Sequence, residues 1–474
     1  MRFRNILFFA LGPIFSAILG VFTLPVIAWF FAKEDIGRVT MLQVVCSFAS
    51  LLFPLGLDQA FVREFHESKK KGELLFLSIF PGFLLLIFTG LFSLLFKDGL
   101  MMLIYDQPGY FLFCITLSAV IATFLSRFFS LVLRMQERGL EYSLSQVLPK
   151  LIFALFICVL WFFSLGNSFE NLALAHLLSI FVVLVLLGWS VRNDLKSMFN
   201  EQVEWKNLRG LLKFGLPLVF GGVAFWGLSV TSRLMLRSLS SYSELGLYSI
   251  GQSFAGAGAI LQSIFSTVWA PTVYKWASNG ENLAKINQVT EAVLALTVFA
   301  FVGCGMMSWL IPYFLPSGYE SVKYFMVACL GQPLLYTLSE TTVVGVSLTR
   351  KSHLAMIAPI LAVLVNCFLS FLWVPVWGAR GAAISTFISF FVFFIVRTEC
   401  SVFVWQDIPR KKMYIFVLYI LVATMITTFG NERTLSFSIG LWTLLLFGAI
   451  ICFRPLMLNS YSKAKGLFKQ RFLA

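Results

Sequence analysis

Polar sequence is scarce in this chain. Charged residues make up only 12% of its 474 positions, and the longest polar stretch is about 191–210. That leaves no room for a soluble catalytic domain. The three histidines and eight cysteines show none of the paired spacings of a metal site. His66 and His353 are expected in loops and His176 as a packed or hydrogen-bonded helix residue. Cys46, Cys114, Cys158, Cys304, Cys329, Cys367, Cys400 and Cys452 fall in or at the ends of apolar runs, away from outer loops where an oxidising compartment would pair them. They are expected to be packing residues, and no metal is expected. Acids are outnumbered, 22 against 36 Lys and Arg. The one acidic pair in an outer loop, Glu34-Asp35, reads as a helix-start signal. Enzymes built on paired acids are therefore disfavoured, and no catalytic residue is expected.

Apolar sequence is abundant instead, at 59% hydrophobic residues and a mean hydropathy of +0.87. A bilayer core takes roughly 20 apolar residues per helical crossing. Crossings are expected at about 6–31, 36–62, 74–96, 109–134, 143–165, 169–190, 211–237, 245–275, 289–314, 320–348, 353–377, 380–404, 413–430 and 435–453. Each must be a helix, because lipid offers no partner to an unpaired backbone group. The runs are too long and continuous for barrel strands. The first is expected to be a resident helix rather than a cleavable leader.

Orientation follows from Lys and Arg in the loops. With fourteen crossings and both termini cytoplasmic, 28 of the 36 basic residues lie inside, from Arg2 and Arg4 through Arg350 to the tail. Only Lys33, Arg38, Lys97, Arg233, Arg237, Lys323, Arg380 and Arg433 lie outside. This distribution accounts for the net charge of +14 through anionic membrane lipids, and argues against a nucleic-acid partner.

The chain repeats itself faintly. Phe9-Ala10-Leu11-Gly12-Pro13 is echoed by Lys213-Phe214-Gly215-Leu216-Pro217. Glu34-Asp35-Ile36-Gly37 is echoed by Ser243-Glu244-Leu245-Gly246, 209 residues on, and the same offset carries Gln43 onto Gln252. Equivalent segments cross in the same direction, so the repeat is parallel, about an axis along the membrane normal. The expected fold is an all-α polytopic membrane protein of about fourteen transmembrane helices. It comprises a six-helix lobe at 1–190, a cytoplasmic linker at 191–210, a second six-helix lobe at 211–405, and an extra helix pair with a basic cytoplasmic tail at 406–474.

Ala10-Leu11-Gly12-Pro13, Lys33-Glu34-Asp35-Ile36-Gly37-Arg38 and Gly56-Leu57-Asp58-Gln59-Ala60-Phe61-Val62-Arg63-Glu64-Phe65 resemble Wzx-type polysaccharide flippases of the multidrug/oligosaccharidyl-lipid/polysaccharide exporter superfamily. The resemblance covers about 1–405. It implies alternating-access transfer of an undecaprenyl-pyrophosphate-linked oligosaccharide, such as an O-antigen unit, from the inner to the outer leaflet of the bacterial inner membrane. It further implies other polysaccharide-assembly membrane proteins as partners, and no cofactor beyond a coupling Na⁺ or H⁺. Many such proteins have twelve crossings; the two additional ones here resemble the lipid II flippases of the same superfamily.

Charges inside the spans are costly and therefore informative. Arg127 lies deepest, with Arg134 two turns along the same helix and Arg63 at the end of the second crossing. These three are expected to hold the pyrophosphate, since guanidinium offers a planar fork to phosphate oxygens. Arg138, and Lys150 at the opening of the fifth crossing, read better as snorkelling to headgroups. Arg233 and Arg237 carry positive charge on the outer side against the general bias. They serve either a phosphate-receiving site or a pairing with Glu244. Among the acids, Asp58 and Glu399 read as structural partners of their sequence neighbours Arg63 and Arg397. Glu340 has no basic neighbour in sequence and is the stronger ion-coupling candidate. Trp226, Trp269 and Trp276 are available to stack on sugar rings. A Na⁺- or H⁺-coupled exporter of cationic drugs is the alternative within the fold, disfavoured by the basic sign of the deep charges. A membrane polysaccharide polymerase or glycosyltransferase is disfavoured by the short outer loops.

Overall fold

The protein is all helix among the residues that the computed structural model describes, 3–279, 284–349, 351 and 353–472. Arg2 and Arg350 lie outside the described residues, as do the side chains of Arg4, His353, Lys463, Lys465, Lys469 and Arg471. Among the described residues, eleven helical segments are long and apolar enough to cross a membrane. The chain forms two compact units, Met1–Ile260 with Val374–Ala379, and Leu261–Trp373 with Arg380–Ala474.

The first unit contains α1 (Phe3–Ala28), α2 (Lys33–Leu52), α3 (Leu57–Glu64), α4 (Lys71–Ser93), α5 (Lys97–Tyr105), α6 (Tyr110–Met135), α7 (Gly139–Phe162), α8 (Phe169–Ser190), α9 (Arg192–Asn200), α10 (Lys206–Leu239) and the first half of α11 (Tyr242–Ser278). Helix α1 packs along α7, and α6 packs along α8. The expected crossing at 36–62 is two helices, because Pro54 interrupts the ladder and Leu55 and Gly56 turn left-handed (φ 55° and 72°). The expected linker is a docked element. The Glu73 carboxylate accepts from the Glu204 amide and the Asn207 side chain, both at 3.0 Å, while Glu201 accepts from the Glu73 amide at 2.9 Å.

The repeat has a physical seam in this unit. Thr40 Oγ1 donates to Ser249 Oγ at 3.0 Å, and the two residues are 209 apart. Gly37 in α2 lies against the Tyr242 carbonyl, and Gly246 in α11 against the Lys33 carbonyl. Tyr242 stands to Lys33 as Gly246 stands to Gly37. Each contact is therefore the image of the other, and a side chain at either glycine would strike backbone.

The second unit contains the rest of α11, α12 (Ala284–Met307), α13 (Val322–Cys329), α14 (Gly331–Thr342), α15 (Val344–Leu348), most of α16 (His353–Val404), α17 (Lys411–Phe429) and α18 (Glu432–Phe472). The crossing expected at 320–348 is three short helices, α13 to α15. Pro333 lacks an N–H, and Thr341 and Thr342 turn their hydroxyls onto backbone carbonyls three residues back, at 2.7 and 3.1 Å. The eleventh and twelfth crossings run on as α16, divided at Gly378 (φ 50°). The C-terminal pair is tied to its unit. Glu432 accepts from Lys323 at 2.5 Å and from the Tyr324 hydroxyl at 2.9 Å, and Trp442 packs fully buried beside Gly305.

Candidate functional site

The turn at Pro54–Gly56 determines where Asp58 points. The Gly56 backbone lies against that of Gly215 in α10, so closely that neither position has room for a side chain. This seats α3 and puts Asp58 in its first turn, where helix N–H groups favour a carboxylate. The Asp58 side chain is 6% exposed. Its Oδ2 accepts from Arg127 Nε at 3.1 Å, from Arg127 Nη2 at 2.5 Å and from Gln59 Nε2 at 3.1 Å.

Arg127 is thus gripped along one edge of its guanidinium, and its side chain remains 36% exposed. The Nη1 group makes no hydrogen bond among the described residues. A planar cation held on one side and open on the other can present donors to an anion without losing its orientation. The partner of Asp58 is therefore Arg127, 69 residues away, and not Arg63 as sequence proximity implied. Arg63 turns to the other side of α3, with its guanidinium 4.5 Å from the Phe214 ring centre and 3.5 Å from Glu64. Arg134 lies over the Tyr142 ring at 6.0 Å. Arg138 binds Glu141 at 2.5 Å and the Ser190 carbonyl at 2.9 Å, which fixes the end of α8.

Further expectations are corrected by the geometry. Arg237 does not pair with Glu244. It donates to the Met102 carbonyl at 3.2 Å and approaches Asp106 at 3.4 Å. Arg38 Nε donates to the Tyr105 carbonyl at 3.0 Å, and the Tyr242 hydroxyl to the Ile104 carbonyl. Three side chains from three helices thereby satisfy the last carbonyls of α5, which supplies the reason for positive charge at this end. Glu244 instead accepts from the Ala379 amide at 2.7 Å, where α16 is broken. Arg233 keeps a buried Nε with no hydrogen-bond partner among the described residues.

Glu340 does have a basic partner. Arg397 Nη2 donates to it at 2.9 Å and Nη1 to Ser339 Oγ at 2.7 Å, with both charged side chains 14% exposed. The Arg397 guanidinium also lies 5.3 Å from the Tyr336 ring centre and 5.0 Å from that of Phe393. Glu399, expected beside Arg397, pairs with Arg410 at 2.8 Å and accepts from the Tyr414 hydroxyl at 2.7 Å. Neighbours in sequence thus face different partners across the helix. Of the tryptophans offered for sugar stacking, Trp269 is buried and donates to the Glu340 carbonyl at 2.9 Å. Trp226 donates to Ser47 at 3.0 Å, and Trp276 packs edge-on against Trp269.

Among the described residues, two ion pairs stand out, one in each unit. Asp58–Arg127 leaves its cation accessible, and Glu340–Arg397 closes on itself. The chain is 22% identical over 337 residues to Lsg locus protein 1 of Haemophilus influenzae, covering 69% of this chain and 79% of that one. Its fold resembles that of the lipid II flippase MurJ in an inward closed conformation, with a TM-score of 0.69, 18% identity, and coverage of 95% of this chain and 99% of the other. An inward-facing multidrug transporter of the MATE family and MOP superfamily matches with a TM-score of 0.57 and 14% identity, over 85% of this chain and 95% of that one. Residues 3–276, more than half of the sequence, match the model of the polysaccharide biosynthesis protein family, and the chain belongs to that family.

Proposed function

We propose that the protein is a flippase for a polyprenyl-pyrophosphate-linked oligosaccharide, carrying the headgroup from the cytoplasmic to the outer leaflet of the bacterial inner membrane. The observation that carries this reading is Arg127, a guanidinium within a membrane-spanning helix, anchored by a buried carboxylate and open on its far edge. A cation in that position costs free energy unless something uses it. Family membership and the resemblance to the lipid II flippase support a lipid-linked anion as its ligand. In this reading Arg127 holds the pyrophosphate, with Arg63 and Arg134 on the approach and Arg233 near the exit. The lobes at 1–190 and 211–405 alternate in access, with both termini cytoplasmic. Coupling to Na⁺ or H⁺ belongs to the reading as well. A cation binding at Glu340 would have to compete with Arg397, and one binding at Asp58 with Arg127.

The test is translocation of a labelled polyprenyl-pyrophosphate oligosaccharide in proteoliposomes under an imposed pH or Na⁺ gradient. Protein-dependent appearance of the sugar in the opposite leaflet is the expected result, and the effective gradient names the ion. No movement with several glycans, together with gradient-driven export of a cationic dye, would transfer the assignment to drug export.

A further inference from the structure

We infer that Lys150 is a second anion-binding residue, and that it makes the site selective for a pyrophosphate over a monophosphate headgroup. The inference rests on the flippase reading above. The sequence places Lys150 near the start of a crossing, where a lysine would reach the headgroups by snorkelling. The structure places it twelfth of the 24 residues of α7, the middle of a membrane-length helix. From either end of that helix the rise is roughly 17 Å at 1.5 Å per residue, more than a lysine side chain spans.

The ammonium nevertheless has no carboxylate within ion-pairing distance among the described residues. Its one hydrogen bond there goes to the Ser16 carbonyl of α1, at 2.7 Å. That carbonyl neutralises no charge, and two of the three ammonium donors are left over. Access along α1 depends on Gly20, since a methyl group at that position would come within 3.0 Å of the Lys150 Nζ. Arg127, at a similar depth, has Asp58 as its counter-charge.

Depth links Lys150 to Arg127. The two residues lie on consecutive antiparallel helices joined by a short turn at Gln136–Arg138. Arg127 is eight residues before the end of α6 and Lys150 eleven residues after the start of α7. At 1.5 Å per residue their depths differ by only about 5 Å, so the two cations lie at nearly the same level. A single phosphate needs one cation to hold it, and a diphosphate carries a second charged group that would satisfy the spare donors of Lys150.

The experiment measures binding of fluorescent polyprenyl pyrophosphate and polyprenyl monophosphate, both without glycan, to the purified full-length protein in detergent. Lys150→Ala, Lys150→Arg and Arg127→Ala are compared with the native chain, with thermal melts alongside. The expected result is that Lys150→Ala weakens pyrophosphate binding at least tenfold and leaves monophosphate binding within twofold, so that the preference between them collapses. Lys150→Arg should retain most of it. An unchanged preference in Lys150→Ala, with Arg127→Ala losing both ligands, would overturn the role of Lys150 and leave the flippase reading standing. Equal loss of both ligands in Lys150→Ala and Lys150→Arg, with lowered melting, would mark a structural lysine and also overturn it. Failure of the native protein to bind either lipid would remove both proposals.

Discussion

Replacing Arg127 is the obvious test of the proposed site, and the structure predicts how that test misleads. Asp58 is 6% exposed and Arg127 36% exposed, so the two halves of the pair are not equivalent. Arg127→Ala leaves a buried carboxylate with only Gln59 as donor. Removing one partner of a buried pair costs about 3–5 kcal/mol. The partial exposure of Arg127 puts the expected loss near the lower limit, about 3 kcal/mol, or roughly a hundredfold in the folding equilibrium. Asp58→Asn should cost less, about 1 kcal/mol, because Asn still accepts one hydrogen bond and the freed guanidinium can reach water. The double variant no longer buries a lone charge and should be little worse than Asp58→Asn. The expected coupling is therefore about 3 kcal/mol. Denaturant melts in detergent give the stabilities, and the proteoliposome assay gives transport. The decisive variant is the double one, which should melt close to the native protein and still fail to move lipid-linked sugar. Additive losses would refute the pairing. Native transport by the stable double variant would refute the role of Arg127.

Other measurements follow from the same structure. Gly246→Val should loosen the α2–α11 seam, because its side chain meets the Lys33 carbonyl; we expect destabilisation of about 1–3 kcal/mol, read by melting, against a small effect at Gly440, whose surroundings are open. Arg397→Met should destabilise by about 3 kcal/mol through the orphaned Glu340, and adding Glu340→Gln should recover most of it. If transport then loses its dependence on the gradient while stability recovers, Glu340 belongs to coupling; unchanged gradient dependence would make the pair structural. At the linker, hydrogen bonding from Lys70 holds Glu204 below its ordinary value of 4.5, and the same bond raises Lys70 above 10.5. The Glu204 contribution is complete above 4.5 and lost as pH falls through its lowered value, while that of Lys70 is complete below 10.5 and lost as pH rises past its raised value. Protection factors over residues 196–207, which correct exchange for its intrinsic pH dependence, should therefore be highest between those limits and fall in acid. A fall that began above about pH 6 would contradict the assignment.

Much of the fold was legible because lipid imposes a simple rule. Apolar runs of membrane length have to be helices, and where two repeats pack about a shared axis the equivalent residues on that axis meet, as Thr40 and Ser249 do. The pairing of charges was not legible. Asp58 and Arg63 are close in sequence, yet the short helix that carries them aims one at α6 and the other at α10. Glu340 looks solitary in sequence only because its partner lies 57 residues on. The sequence places Lys150 near the start of a crossing because the expected run opens at 143, whereas α7 begins four residues earlier at Gly139 and takes in Glu141. In each case the deciding quantity was which face of a helix meets which neighbour, and hydropathy does not encode it.

The contact between Thr40 and Ser249 places the repeat axis between two residues that are copies of one position. The chain there behaves as a homodimer whose subunits have been joined into one polypeptide, with an isologous interface on its two-fold. In a true homodimer a change at the axis would strike itself. Here the two copies are free to change separately, so a bulky residue in one half can be balanced by a small one in the other. A joined pair of this kind can therefore be lopsided at its axis, as Thr40 against Ser249 already is.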